Sequence, residues 1–179
     1  MEHIIKIGGQ EHYQPPMEEV RGLAWNIGGM VARSSFKVER LVAVTRGGMT
    51  ITECLSRALN IKDIQTFALE VYGKNTGDGN PEVPNDNVTI FREPDLPEDG
   101  EGTLFGDDVL DTGLTVSEIR SRWPKAAIGV AYTKHEHNET LNQVDFYGKY
   151  VGNIWIDFPW ELEAQTRDNL RNGNGNLVL

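Results

Sequence analysis

Short, continuous apolar runs alternate along this chain with segments of helical periodicity. Leu41–Val44 and Ala126–Tyr132 contain no charged side chain, and Ile64–Tyr72 is rich in β-branched and aromatic residues. Such runs are typical of strands that are buried on both faces of a sheet. Helices are predicted at Thr50–Leu59 and Thr115–Arg122. Strands that alternate with helices favour an α/β fold, in which helices flank a mostly parallel, twisted sheet.

Two segments depart from this alternation. Residues 73–100 are crowded with Gly, Pro, Asn and Asp, and a connection of that length is typical of a functional or disordered loop. Within it a short strand is predicted at Val88–Phe91, and two further strands are predicted at Val144–Val151 and Asn153–Phe158. The tail, about residues 165–179, is predicted to be mobile. At 179 residues, we expect one domain over residues 1–179.

Composition and charge exclude several classes of function. Lys and Arg number 17 against 27 Asp and Glu, which gives a formal net charge of −10, so nucleic acid is an unfavourable partner. The sequence shows no signal peptide and no apolar stretch of the roughly 18 residues that a membrane-spanning helix needs. Cys54 is the single cysteine, so no internal disulfide forms, which fits a reducing compartment. We therefore expect a cytoplasmic protein that binds neither nucleic acid nor membrane.

The most informative motif is residues 107–115, which read Asp-Asp-Val-Leu-Asp-Thr-Gly-Leu-Thr between an apolar run and a predicted helix. A turn that enters a helix N-terminus offers free backbone N–H groups and a positive dipole end, which suit a phosphate. Gly113 lets the backbone close around an anion, and Thr112 and Thr115 add hydroxyl donors. The adjacent carboxylates of Asp107 and Asp108 suit sugar hydroxyls and Mg²⁺. The motif predicts a ligand that carries both a diol and a phosphate.

The same string resembles the phosphoribosyl pyrophosphate (PRPP) motif of type I phosphoribosyltransferases: an apolar strand, two acidic residues, two apolar residues, then Asp-Thr-Gly-x-Thr. The chain departs from it at Gly106, where the family has a larger residue, and weaker strand packing is expected there. Leu114 stands where the family often has glycine, so its side chain is expected to point away from the phosphate. The resemblance implies the type I phosphoribosyltransferase fold, with a flexible hood loop at about 73–100 and a small C-terminal base-binding hood.

Other segments narrow the resemblance. Leu41–Gly48 looks like the pyrophosphate loop of enzymes for 6-oxopurines, and Gly100–Gly102, Trp123–Ala126 and Asn153–Trp160 are similar to bacterial xanthine-guanine phosphoribosyltransferases. Together these segments span about Leu41–Glu161 in matching order. The resemblance implies a purine salvage glycosyltransferase that uses Mg²⁺ as cofactor. It would transfer the 5-phosphoribosyl group from PRPP to guanine, xanthine or hypoxanthine, and would release pyrophosphate.

The resemblance also assigns roles on the PRPP side of the site. Arg46 and Gly47 are implied to bind pyrophosphate. Asp107 and Asp108 are implied to contact the ribose hydroxyls, and Asp108 also to bind the metal. Asp111 is implied to lie near N7 of the purine as the catalytic general acid/base. The 5′-phosphate is assigned to the loop Asp111, Thr112, Gly113, Leu114 and Thr115.

On the base side, the resemblance assigns Lys134, which follows the Ala126–Tyr132 run, to the purine O6. A fixed ammonium suits a carbonyl oxygen and does not suit an amino group, which favours a 6-oxopurine over adenine. Trp155 is implied to stack on the purine face. Backbone groups of Ile156 and Asp157 are implied to read the N1 and C2 edge.

Other functions stay open at this stage. A regulator could bind PRPP or a nucleotide on the same fold without turnover, and the base could be orotate or adenine. A dinucleotide-binding oxidoreductase is set aside, because no G-x-G-x-x-G follows a predicted strand. His135 and His137 form a His-x-His pair, which we predict to be exposed loop residues rather than metal ligands. The family commonly forms homodimers or homotetramers, and we expect one of these here.

Overall fold

Helices and strands alternate through most of the chain, as the sequence predicts. The computed structural model describes residues 3–72 and 84–161. In chain order its elements are β1 (Ile4–Ile7), β2 (Gln10–Tyr13), α1 (Met17–Arg33), β3 (Arg40–Thr45), α2 (Gly48–Leu59), β4 (Ile64–Tyr72), β5 (Pro84–Arg92), β6 (Thr103–Leu110), α3 (Leu114–Arg122), β7 (Ala127–Thr133), a 3-10 turn (Leu141–Gln143), β8 (Phe146–Tyr150) and β9 (Trp155–Ile156). None of the helices described is both long and apolar enough to cross a membrane. The described residues divide into two compact units, a larger one within Glu18–Asn153 and a smaller one made of the described residues before Glu18 and after Asn153.

The larger unit is built on a six-stranded sheet with the order β5-β4-β3-β6-β7-β8. Neighbouring strands run parallel from β4 through to β8, and only β5 is antiparallel to its neighbour. The prediction of an α/β fold with a mostly parallel sheet is therefore confirmed. The predicted strand at Ile64–Tyr72 is confirmed over its full length, and the two predicted helices begin one or two residues earlier than expected.

Helices cover both faces of this sheet. On one face, α3 packs over an aromatic cluster in which the rings of Phe67 and Phe105 each lie 5.3 Å from the ring of Trp123. The opposite face receives α1 and α2, whose close contact at Gly28 and Ala58 leaves no room for a larger side chain. Because consecutive strand residues point to opposite faces, the continuous apolar runs in β3 and β7 pack against the helices on both faces of the sheet.

Gly106 packs closely against α2 rather than weakly, which corrects the expectation from the sequence. A Cβ atom at this buried position would lie 2.5 Å from the Thr52 hydroxyl, and that hydroxyl donates a 3.4 Å hydrogen bond to the Gly106 carbonyl. Gly48, the first residue of α2, lies equally close, since its Cβ would fall 2.2 Å from the same carbonyl oxygen. Two facing glycines therefore set the start of α2 directly on β6.

The short strand predicted at Val88–Phe91, within the long loop, is confirmed and extends further than expected. Residues 84–92 form β5, which pairs antiparallel with β4 through two register shifts. Proline and glycine suggested a loop, but proline is tolerated at the first residue of an edge strand, where Pro84 stands. The remaining residues of that prediction before Pro84, and the predicted tail at about 165–179, lie outside the described residues.

The smaller unit holds a three-stranded sheet with the order β1-β2-β9, and its N-terminal hairpin is absent from the sequence predictions. Gly8 and Gly9 join β1 to β2 with φ values of 56° and 87°, as a two-residue hairpin turn requires. The predicted strand at Asn153–Phe158 is wrong in extent. Only Trp155 and Ile156 are strand residues, because β9 finds just two partners in β2.

Candidate functional site

Three parallel strands of the larger unit end at one edge of its sheet. Arg46 follows β3, Asp111 follows β6 and Lys134 follows β7. The carboxyl ends of parallel strands are where open α/β sheets bind ligands. The turn Thr45–Gly48 and residues 107–115 therefore lie at the same edge of the sheet.

The turn after β3 lies directly beside the acidic pair. The Thr45–Arg46 peptide is cis, and the Arg46 side chain is exposed. A Cβ on Gly47 would fall 1.8 Å from Oδ2 of Asp108. Glycine is therefore the residue that lets the backbone of this turn approach the Asp108 carboxylate.

The two aspartates differ in their surroundings. Asp107 is buried, with 8% of its surface exposed, and its Oδ1 accepts a 2.9 Å hydrogen bond from the Asp108 N–H. Burial, followed by the negative charge of Asp108, raises the pKa of Asp107 well above its usual range. Asp108 is half-buried. The pair therefore holds one carboxyl that favours its protonated form and one that faces the Gly47 turn.

The loop between β6 and α3 has the geometry of an anion cradle. Gly113 takes a φ of 84°, and a Cβ there would lie 2.7 Å from Cγ2 of Thr140, so both conformation and space require glycine. Within the described ranges, the backbone N–H groups of Thr112 and Gly113 donate to no protein acceptor. α3 begins at Leu114 with its first N–H groups facing the same loop. Leu114 and Thr115 are half-buried.

Lys134 and Asp111 meet across the gap between two strands. Nζ of Lys134 donates a 2.8 Å hydrogen bond to Oδ2 of Asp111, with side-chain exposures of 11% and 30%. The Lys134 backbone N–H also donates to the Leu110 carbonyl at 3.0 Å. The structure thus brings together the two residues that the sequence assigned to neighbouring positions on the base.

His135 contacts the candidate site in a way that the sequence did not suggest. Its side chain is half-buried, and Nε2 hydrogen-bonds to the backbone carbonyl of Asp111. The prediction that His135 is an exposed loop residue is therefore wrong, whereas His137, with 89% of its side chain exposed, confirms it. His135 differs from His137 because the Asp111 carbonyl points toward it. No pattern in the sequence predicts the direction of that carbonyl.

The residues assigned to the base lie in the smaller unit. Trp155 has 43% of its surface exposed and Ile156 is buried, and both pair with β2. The Asp157 N–H donates to the Tyr13 carbonyl at 2.9 Å, so at this residue the predicted backbone contact with the base would fall to the carbonyl group. Nδ1 of His12 lies 3.0 Å from the Asp157 carboxylate, a contact that the sequence did not suggest.

Relatives of this chain carry informative names. No family model matches the chain. It is 33% identical over 122 residues to a xanthine-guanine phosphoribosyltransferase from Idiomarina loihiensis, covering 68% of this chain and 70% of the relative. A second xanthine-guanine phosphoribosyltransferase, from Ruegeria sp., is 31% identical over 148 residues, covering 81% of this chain and 80% of the relative.

The chain belongs to the xanthine-guanine phosphoribosyltransferase family.

Solved structures agree in fold. A purine phosphoribosyltransferase from Pyrococcus horikoshii superposes with a TM-score of 0.64 at 19% identity, over 85% of this chain and 95% of that one. The Helicobacter pylori xanthine-guanine-hypoxanthine phosphoribosyltransferase gives a TM-score of 0.64 at 20% identity, over 90% and 97% of the two chains. The type I phosphoribosyltransferase fold of this family is therefore confirmed for the chain.

Proposed function

We propose that this protein transfers the 5-phosphoribosyl group of PRPP to a 6-oxopurine, either guanine, xanthine or hypoxanthine. The products would be a nucleoside monophosphate and pyrophosphate. Membership of the family supports the reaction class, and one observation carries the choice of substrate. That observation is the Lys134–Asp111 pair. It lies at the start of the segment Asp111–Thr115, which we call the phosphate loop.

The pair matches one edge of a 6-oxopurine. O6 and N7 lie side by side on that edge, and both accept hydrogen bonds. Lys134 has only donors, so it suits O6 and would oppose the amino group of adenine. Asp111, 2.8 Å away, would then lie beside N7, where it can hold or move a proton as the base changes its bonding.

The other residues at this edge of the sheet suit PRPP. The loop of Asp111, Thr112, Gly113, Leu114 and Thr115 would hold the 5′-phosphate through its backbone N–H groups. Asp107 and Asp108 would accept hydrogen bonds from the ribose hydroxyls. Arg46 and the Gly47 backbone would bind the leaving pyrophosphate. Stabilisation of an oxocarbenium-like transition state by these groups requires no covalent nucleophile.

The acidic pair also fits a magnesium ion. Mg²⁺ usually binds through one or two carboxylates together with substrate phosphates and water, rather than through an all-protein cage. The described residues contain no cluster of three or more candidate ligands, and two adjacent carboxylates agree with that mode. We propose that Asp108 holds the ion, which would supply charge neutralisation for the pyrophosphate. Bound there, it would also favour the ionised form of Asp107.

The base face is assigned through the smaller unit. We propose that Trp155 stacks on the purine and that backbone groups of Ile156 read its N1 and C2 edge, so that this unit acts as the base-binding hood. On this view the two units make up one phosphoribosyltransferase domain over residues 1–179. A cytoplasmic homodimer or homotetramer, without nucleic-acid or membrane partners, completes the proposal.

A spectrophotometric assay tests the function directly. Purified protein would be incubated with PRPP, Mg²⁺ and, separately, guanine, xanthine, hypoxanthine, adenine and orotate. We expect nucleotide only from the three oxopurines and none when a chelator replaces Mg²⁺. Turnover of adenine or orotate alone would reject the role of Lys134. Binding of PRPP without turnover of any base would instead support a regulator.

A further inference from the structure

The segment that follows β7 contacts several residues between Asp111 and Ser117. We call Lys134–Gln143 the brace. Besides the Lys134–Asp111 pair, the brace places Cγ2 of Thr140 against Gly113. At its far end, Ser117 of α3 donates a 3.0 Å hydrogen bond to Oε1 of Gln143. The brace therefore supports the loop from its first residue to the first turn of the helix.

His135 contributes the contact to the loop backbone, and its neighbours fix which ring nitrogen carries the proton. Oδ1 of Asn138 accepts the Leu141 N–H at 2.9 Å, which sets the orientation of the amide. Nδ2 of Asn138 therefore faces Nδ1 of His135, 2.9 Å away, and donates to it. Nδ1 must be an unprotonated acceptor, so the ring proton lies on Nε2. That N–H donates to the Asp111 carbonyl.

The direction of this carbonyl matters for the ligand. In a trans peptide the C=O and the following N–H point in opposite directions. A hydrogen bond that draws the Asp111 carbonyl toward His135 turns the Thr112 N–H away from the brace. That N–H is one of the groups without a protein acceptor among the residues that the structure describes. The same peptide carries the Asp111 side chain, which Lys134 holds from the other side.

We propose that His135, oriented by Asn138, is a positioning residue: its Nε2–H fixes the Asp111–Thr112 peptide so that the Thr112 N–H meets the 5′-phosphate and the Asp111 carboxyl meets the base. The inference rests on the proposed function and adds to it a residue that touches neither substrate. Lys134 and His135 then act as a two-point clamp on Asp111, one at the carboxylate and one at the carbonyl.

Matched variants separate positioning from simple packing. His135→Phe keeps a ring but removes the donor, whereas His135→Gln places an amide N–H near the position of Nε2. We expect His135→Phe to raise the KM for PRPP and to lower kcat, each about 10-fold, since loss of one aligned hydrogen bond and a small displacement have effects of that order. We expect His135→Gln to restore most of both. His137→Asn, at an exposed position with a φ of 55° that asparagine tolerates, is the control and should match the wild type.

A spectroscopic measurement keeps the proposal testable if the Phe variant folds poorly. The chain has 4 histidines, so ¹⁵N correlation spectra of the imidazole rings are simple to assign. We expect the wild-type His135 ring to be neutral with its proton on Nε2. A proton on Nδ1 would overturn the inference, as would equal kinetics for His135→Phe and the wild type. If the wild type itself turned over no base, the proposed function would fail, while the spectrum would still test the His135 geometry.

Discussion

The edge of the larger unit that we propose binds phosphate and the strand of the smaller unit that we propose binds the base are assembled in opposite ways. At the first, one contiguous string supplies the carboxylates, the glycine turn and the helix start, and the brace that supports it begins only 23 residues after Asp111. At the second, Trp155 and Ile156 depend on β2, and the His12–Asp157 contact spans 145 residues. The comparison teaches that the residues proposed to bind phosphate are encoded locally, whereas Trp155 and Ile156, proposed to bind the base, depend on a pairing between the two ends of the described chain.

The largest expected effect comes from a substitution at the edge of the larger unit. Asp111→Asn keeps the shape of the side chain but removes its capacity to exchange a proton, so kcat should fall about 10²- to 10⁴-fold. Because Asp111 lies on a half-exposed loop, Tm should change little. Steady-state kinetics and thermal unfolding check both expectations, with the exposed Glu139→Gln as control. Unchanged turnover would remove Asp111 from the catalytic role.

A smaller effect is expected from a substitution of His12, the distant contact of Asp157 in the smaller unit. His12→Phe removes the contact to Asp157 while keeping a ring, so we expect the KM for the base to rise about 3- to 10-fold, a typical effect of losing one hydrogen bond. The KM for PRPP should stay unchanged, because the phosphate loop is untouched. Glu11→Gln, on the neighbouring exposed position of β2, is the control. Equal rises for both substrates would contradict the separation of the two regions.

The smallest expected effect concerns stability. Burial raises the pKa of Asp107, so above pH ~4, where the unfolded carboxyl ionises, the folded state binds more protons than the unfolded state. Unfolding free energy then falls as pH rises toward the folded pKa. Asp107→Asn removes this loss, so without metal its Tm should exceed that of the wild type at pH 8 and match it near pH 4.

Thermal unfolding in a chelator measures that difference, and each kcal/mol corresponds to about 2–4 °C for a chain of this size. Asp99→Asn is the opposite case, because the Lys125 hydrogen bond lowers the pKa of the Asp99 carboxyl. This variant should show no increase in Tm over the wild type at pH 8. A Tm advantage for Asp107→Asn that is the same at both pH values would show that packing, rather than ionisation, is responsible.

Much of the larger unit follows from the sequence because its signals are contiguous. The apolar runs of β3 and β7 and the turn chemistry of residues 107–115 can each be read within about ten residues. The proposed role of His135 could not be predicted, since it depends on the direction of the Asp111 carbonyl, which follows the neighbouring strand β6. The hairpin of β1 and β2 was missed because its strands have four residues each and are largely exposed, which leaves Gly8-Gly9 as the only local signal.

The pairing of β2 with β9 also has a consequence for synthesis on the ribosome. His12 pairs with Trp155, so β2 leaves the exit tunnel long before its partner has been translated. The larger unit, whose strand pairs are much closer in sequence, has its full set of strands before β9 is made. Contacts of large sequence separation close late, and domains fold during translation in the order in which they are completed. Among the described strands, the one proposed to read the purine is therefore the last to gain its native partner, after the strands proposed to bind PRPP have been made.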